Sequence, residues 1–234
     1  MSGSRQAHGA WRSGLGRDRS AVGWPIGSAR LVGSSPSTSP TAQLDVPAQV
    51  EVYRHDIGAG VPTDGPFDLI HARFVLMHLR DRENLLRMLV DALAPGGLLV
   101  LGESPNRPQE VLSAPSDADA ELAHRVVGAG VRLTGRVSTA WEWAHEVEQH
   151  FVAAGLRDIR GFEYTPMVTG GDAAALLVST HVAQAEPLLL KEGVTRDEIS
   201  RFHLLMRDSR FRAWPFMRMV MTAGRKPLDT EVGR

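Results

Sequence analysis

Val50-Glu51-Val52-Tyr53-Arg54, Phe67-Asp68-Leu69-Ile70-His71-Ala72 and Leu98-Leu99-Val100-Leu101 are three short apolar runs whose reading decides the fold. Short runs of this kind, bounded by turn signals, read as buried strands. The first is closed by His55-Asp56-Ile57 and the turn-rich residues 58–66. After Arg73 the spacing becomes helical: Leu85, Leu86, Leu89, Val90 and Leu93 fall on one stripe, opened by Asp81 and stopped by Pro95-Gly96-Gly97. Two strands joined through a helix of this length form a right-handed parallel βαβ unit. The expected fold is therefore α/β, with residues 50–54, 67–72 and 98–101 parallel within one sheet.

Several of these pieces, in order, carry a family likeness. His55-Asp56-Ile57, the run from Phe67 through Arg73, Met77-His78-Leu79 and Leu93-Ala94-Pro95-Gly96-Gly97-Leu98 together resemble the class I S-adenosylmethionine-dependent methyltransferases. Phe151-Val152-Ala153-Ala154-Gly155-Leu156 and the closing Ala223-Gly224-Arg225-Lys226-Pro227 extend the resemblance, which covers roughly residues 45–227. It implies a Rossmann-like, mostly parallel sheet, incomplete at the N-terminus, with helices inserted over the acceptor side. S-adenosylmethionine is the implied cofactor. The implied organisation is a tail over residues 1–44, a domain over 45–227 with helical insertions at 113–135 and 172–212, and a short tail at 228–234.

Composition narrows the partners. A chain of 234 residues, 43% hydrophobic, is large enough for one α/β domain with insertions. Its 26 basic and 27 acidic side chains leave a formal charge of −1, which gives no general attraction to nucleic acid or anionic membrane. A small-molecule substrate is expected, with no nucleic-acid or membrane partner. The absence of cysteine excludes disulfides, thiolate metal ligands and cysteine nucleophiles. No metal site is expected. No uninterrupted apolar run has the length of a membrane span, and the basic N-terminus lacks the apolar core of a secretory signal. The expected location is the cytoplasm.

Residues 1–41 are rich in Gly, Ser, Arg and Pro and sustain no helical or strand period. At face value they form a solvated tail. The resemblance places a first strand, a glycine loop and a second strand in this region, so a shifted reading frame is the competing account. Regrouping each codon from its third base allows Ala10-Trp11-Arg12-Ser13-Gly14-Leu15-Gly16 to become Leu-Glu-Val-Gly-Ala-Gly. In the same frame the run from Ser34 to Thr41 can become Val-Ala-Val-Asp-Leu-Ala-Asp. As written, Gly14-Leu15-Gly16 has neither a strand pattern before it nor an apolar helix after it, and cofactor binding is expected to be weak or absent.

Ligands of open parallel sheets sit outside the carboxyl ends of the strands. Asp56 and Ala72-Arg73 follow two such ends. The resemblance gives Asp56 the adenine amino group, Ile57 a packing contact with the ring, and Ala72 and Arg73 the methionine end of the cofactor. Asp56 also reads as an ordinary turn residue, and Arg73 as a solvated charge beside a helix. His71 reads as a buried, hydrogen-bonded histidine before it reads as a catalytic base. If the acceptor is a hydroxyl, His71, His145 or His203 could serve as its base, though the sequence places none of them beside a substrate. His78, near a helix start, supports no stronger claim, and no catalytic residue is assigned.

Farther on, Glu121, His124 and Arg125 read as solvent-facing, and Trp141 and Trp143 as packing residues before they read as a substrate clamp. Pro187 is expected to break or kink a helix running from about Asp172 to Lys191. Thr195-Arg196-Asp197-Glu198 spells a helix-opening capping box. Met206, Phe211, Trp214, Phe216 and Met217 either line an acceptor pocket or belong to the core. A last strand is expected over residues 216–222. Two functions stay open at this level: methyl transfer to a small acceptor, and a methyltransferase-like scaffold without catalysis that binds a partner. A nicotinamide-dependent reductase fits less well, since it too needs an early glycine loop.

Overall fold

A computed structural model describes residues 29–33, 50–57, 60–61, 65–105, 107–137, 139–215 and 217–229. The regrouped stretches at 10–16 and 34–41 lie outside them, as does the greater part of the expected tail. Within that tail, however, Ala29–Gly33 is a strand (β1), parallel to Val50–Arg54 (β2) from Ala29↔Val50 to Gly33↔Arg54. The sequence shows no period there because the segment has only five residues.

The main sheet has four strands: Phe67–Arg73 (β3), Leu93–Glu103 (β4), Arg157–Tyr164 (β6) and Met219–Arg225 (β9), in the order β3-β4-β9-β6. β3 and β4 are parallel, as the βαβ reading requires, whereas β9 runs antiparallel to both neighbours and makes the sheet mixed. β2 does not join β3 and β4 in one sheet. It pairs with β1 alone among the described strands, and β3 ends the four-stranded order. This corrects the single-sheet expectation for residues 50–54.

Between β3 and β4 the chain forms a 3-10 turn, Leu76–His78, and the helix Arg82–Asp91 (α1). Leu85, Leu86, Leu89 and Val90 are buried, so the apolar stripe faces the sheet as its spacing requires. Asp81 stands at the N-cap position but its side chain makes no capping bond. The Pro95-Gly96-Gly97 motif does not precede the strand. β4 starts at Leu93 and passes through it, and the register advances from Phe67↔Leu93 to Leu69↔Leu98 across the resulting bulge. Gly96 has φ +80°, which a side chain disfavours. Lys226 closes this corner, its Nζ donating to the carbonyls of Asp91 at 3.0 Å and Leu93 at 2.8 Å, where a helix end needs a cation.

The helix Trp143–Ala153 (α3) covers the same sheet face as α1. Leu99, Leu101, Trp143, Val147, Phe151 and Leu156 form one buried cluster with the α1 leucines. On the opposite face, alternation and register align Val100 and Gly102 with Met219, Met221 and Phe162, and Phe162 is 60% exposed.

A second layer is helical. Asp117–Val137 (α2), Ala173–Lys191 (α4) and Arg196–Leu205 (α5) pack around Val126, Ala175, Val182, Ile199 and Phe202. A small antiparallel sheet, ordered Glu110–Ser113 (β5), Arg212–Trp214 (β8) and Val168–Thr169 (β7), abuts them. α5 opens with the capping box, Thr195 Oγ1 accepting the Glu198 amide at 3.2 Å and Glu198 Oε2 accepting the Thr195 amide at 2.8 Å. Pro187 lies inside α4 and does not end it. α4 has the length and mean hydropathy, 1.3, of a membrane-crossing helix, although polar residues interrupt its apolar run. Ala175, Ser179, Val182 and Leu189 nonetheless bury one side of it in the helical layer.

Candidate active site

The described carboxyl end of β2 leads into a tight turn. His55 Nε2 lies 2.9 Å from the Gly60 carbonyl, and the Gly60 amide donates to the Ile57 carbonyl at 3.1 Å. Gly60 has φ +113°, and a Cβ there would come within 2.8 Å of Met88 Cε, so the turn is seated on α1. Within it Asp56 is exposed, while Ile57 is half-buried against the sheet-side cluster.

At the end of β3, Ala72 packs against that same cluster and pairs with Leu101, so Ile57 and Ala72 flank one core. Arg73 is exposed and sits opposite Gly102. A Cβ on Gly102 would lie 3.4 Å from Arg73 Cγ and 2.7 Å from Met221 Sδ, so the arginine stem lies over a site that only glycine leaves open. The next residue, Phe74, has φ +53°, a conformation bulky side chains rarely adopt. Its amide donates to the Gly102 carbonyl at 2.7 Å.

The end of β4 carries a group that sequence reasoning missed. Glu103 is 1% exposed. Its Oε1 accepts the Leu76 amide at 3.0 Å, and its Oε2 has no hydrogen-bond partner among the described residues. Burial pushes the carboxyl up to about 7, against the amides of Leu76, Met77 and Val75 and the charge of Arg82, which favour the ionised form. Next to it, the buried Ser104 Oγ is also unpartnered among the described residues. The text Gly102-Glu103-Ser104-Pro105 held the available signal, an acid closing an apolar strand at the end where such sheets bind ligands.

The other candidates fall elsewhere. His71 is exposed rather than buried. The partial shielding of its ring, followed by the Arg73 charge, lowers its pKa. His78 is exposed, with Nδ1 3.2 Å from Thr139 Oγ1, and His145 is exposed on α3. His203 Nδ1 lies 2.7 Å from Ser179 Oγ in the helical layer. Glu121, His124 and Arg125 face solvent. Trp143 is a core residue at 1% exposure, with its ring 4.7 Å from that of His150. Met206 and Phe211 are fully buried around a space of about 10 Å³, room for no more than a water, so they are core rather than pocket lining. Phe216 lies outside the described residues. Among the described residues, no group of three His, Asp or Glu could hold a metal ion.

The fold is Rossmann-like α/β, and Asp56, Arg73 and Glu103 stand at or just beyond the ends of β2, β3 and β4, where sheets of this kind bind ligands. The chain belongs to the methyltransferase-domain family, whose model matches residues 8–160 and so begins inside the segment read as a tail. No curated protein sequence matches it. Solved structures similar to it include phosphoethanolamine N-methyltransferase 2 of Haemonchus contortus, crystallised with phosphomonomethylethanolamine and S-adenosylhomocysteine (15% identity, TM-score 0.43, covering 77% of this chain and 38% of that one). A putative methyltransferase of Bacillus halodurans is 18% identical, with TM-score 0.42, over 77% of this chain and 73% of its own. A putative methyltransferase in complex with the Haloferax volcanii activator Trm112 is 16% identical, with TM-score 0.49, over 86% and 73%.

Proposed function

We propose that this protein transfers a methyl group from S-adenosylmethionine to a small-molecule acceptor. The observation that carries the reading is the placement of Asp56-Ile57 and Ala72-Arg73 just beyond or at the ends of β2 and β3, in a chain of the methyltransferase-domain family. The cofactor supplies an electrophilic methyl group on a sulfonium. The chain's own task is to hold two reactants in line in a site without water. Asp56 is the proposed acceptor for the adenine amino group, Ile57 the apolar contact for the ring, and Ala72 and Arg73 the lining of the methionine end. The buried polar atoms of Glu103 and Ser104 at the next strand end fit a ligand-bearing edge. The helical layer of α2, α4 and α5 is the proposed acceptor side. We propose a cytoplasmic location and, from the near-neutral charge, no nucleic-acid or membrane partner.

A second reading, a scaffold without catalysis, draws on the N-terminal text. The written residues 10–41 contain no glycine loop preceded by a strand pattern, whereas the regrouped frame contains one. That β1 and β2 pair apart from the sheet that ends at β3, among the described strands, is consistent with a missing first strand. Thermal melting with and without S-adenosylmethionine separates the readings, since a ligand that binds only the folded state raises the midpoint. A rise that Asp56→Ala abolishes supports methyl transfer by this chain. No rise at millimolar ligand favours the scaffold.

A further inference from the structure

The residues after Arg73 turn back sharply, and two bonds from the end of β4 hold them there. Phe74, in its left-handed conformation, donates its amide to the Gly102 carbonyl, and two residues later Leu76 donates to Glu103 Oε1. The turn is further fixed from the other side, where the Met77 carbonyl accepts the Ala140 amide at 2.8 Å. Glu103 is therefore the side chain from β4 that holds the path of residues 74–79, which continues directly from Ala72 and Arg73 at the end of β3.

The carboxyl sits in surroundings unsuited to a charge. Leu76 and Met77 are 0% and 2% exposed, and Trp143 from α3 is 1% exposed. Arg82 of α1, the nearby cation, is directed elsewhere: its Nε donates to the Leu76 carbonyl at 3.4 Å and its guanidinium carbon lies 5.8 Å from the Trp143 ring centroid. His150 on α3 packs its ring, tilted, against that of Trp143, and His78 in the turn is exposed. One carboxyl oxygen is thus satisfied by an amide, and the other is buried without a partner among the described residues. The amides of Leu76, Met77 and Val75 and the charge of Arg82 favour the ionised form, but burial outweighs them, so a neutral carboxyl suits the closed turn better than an ionised one.

We propose that Glu103 is a positioning residue for the strand-end site: neutral, it locks residues 74–79 against the end of β4, and ionised, it releases them. Opening the turn brings the carboxyl to water, where ionisation costs little, so the open form gains as the proton leaves. The importance of this turn for catalysis rests on the methyltransferase reading; the lock itself does not.

Amide exchange across residues 74–79, corrected for intrinsic rates, tests the lock on the full chain from pH 5.5 to 8.5. The wild type should lose protection at Leu76 by about tenfold as pH rises through neutrality, the effect of losing about 1.4 kcal/mol. Glu103→Gln keeps a neutral acceptor and should stay protected with a flat pH profile. Glu103→Ala should exchange fast at every pH. A wild-type profile as flat as that of Glu103→Gln, or protection in Glu103→Ala equal to the wild type, overturns the proposal. The exchange measurement uses no cofactor. A lock confirmed in a chain whose melting ignores S-adenosylmethionine would therefore sink the functional reading and leave this one standing.

Discussion

Phe151 occupies the space that Gly224 leaves by having no side chain: a Cβ on Gly224 would lie 2.8 Å from Phe151 Cδ2. The same Cβ would lie 3.1 Å from Leu156 Cδ1. This contact sets how closely α3 lies on the sheet, because Phe151 is fully buried and Gly224 pairs with Leu99 at its centre. Gly224→Ala should therefore destabilise the fold by about 1–3 kcal/mol through overpacking. Urea denaturation measures it. A midpoint equal to the wild type would show that α3 yields freely.

The Glu103 carboxyl predicts how global stability varies with pH. Its folded value is raised from 4.5 to about 7, so its stabilising effect is fully present below about 4.5 and is lost as pH rises through 7. The loss amounts to at most about 3 kcal/mol, from 1.4 kcal/mol per tenfold change in proton affinity. Denaturation of the wild type and Glu103→Gln at pH 5 and pH 8 should show the wild type weakening between the two and the variant changing less. Equal pH dependence in both proteins would contradict the assignment.

Arg201 grips Asp119 with two bonds, Nε to Oδ1 at 2.8 Å and a second guanidinium nitrogen to Oδ2 at 2.9 Å, tying α5 to α2. The carboxylate is nearly buried, whereas the arginine side chain is 54% exposed, so water screens the pair from one side. Arg201→Ala should lower stability, since it strands a charged acceptor at the edge of the helical core. The same urea experiment reads it, and a loss below the error of the fit would place the pair among ordinary surface ion pairs.

Thr195→Ala removes one half of the capping box at the start of α5 and should lower stability by about 1 kcal/mol. Thr195→Ser keeps the hydroxyl and should restore it. Failure of the serine variant to restore stability would point to the lost methyl group rather than the cap.

How much of this was legible depended on how local each cause was. The α1 stripe and the Thr195 capping box are fixed by neighbours three and four residues away, and both appear where the text places them. The end strand was expected three residues early, over 216–222, because its limits come from pairing with β4, where Arg225 meets Leu98. The course of β4 through Pro95-Gly96-Gly97 is likewise a consequence of bulging against β3. The short strands β5, β7 and β8 hold four, two and three residues, too few for a period. At the site, Asp56, Ile57, Ala72 and Arg73 could be proposed from strand ends alone. The burial of Glu103 could not, since it arises from tertiary packing against the turn of residues 75–77, distant in sequence.

The central claim is that the strand ends bearing Asp56 and Arg73 hold S-adenosylmethionine once a glycine loop stands beside them. Calorimetric titration of S-adenosylhomocysteine into a variant whose residues 10–41 carry the regrouped sequence tests it most directly. That variant should bind at micromolar levels, about 8 kcal/mol, the chain as written should bind much more weakly, and Asp56→Ala in the variant should lose about 1–3 kcal/mol. Absence of binding by the variant, or binding indifferent to Asp56, would contradict the account.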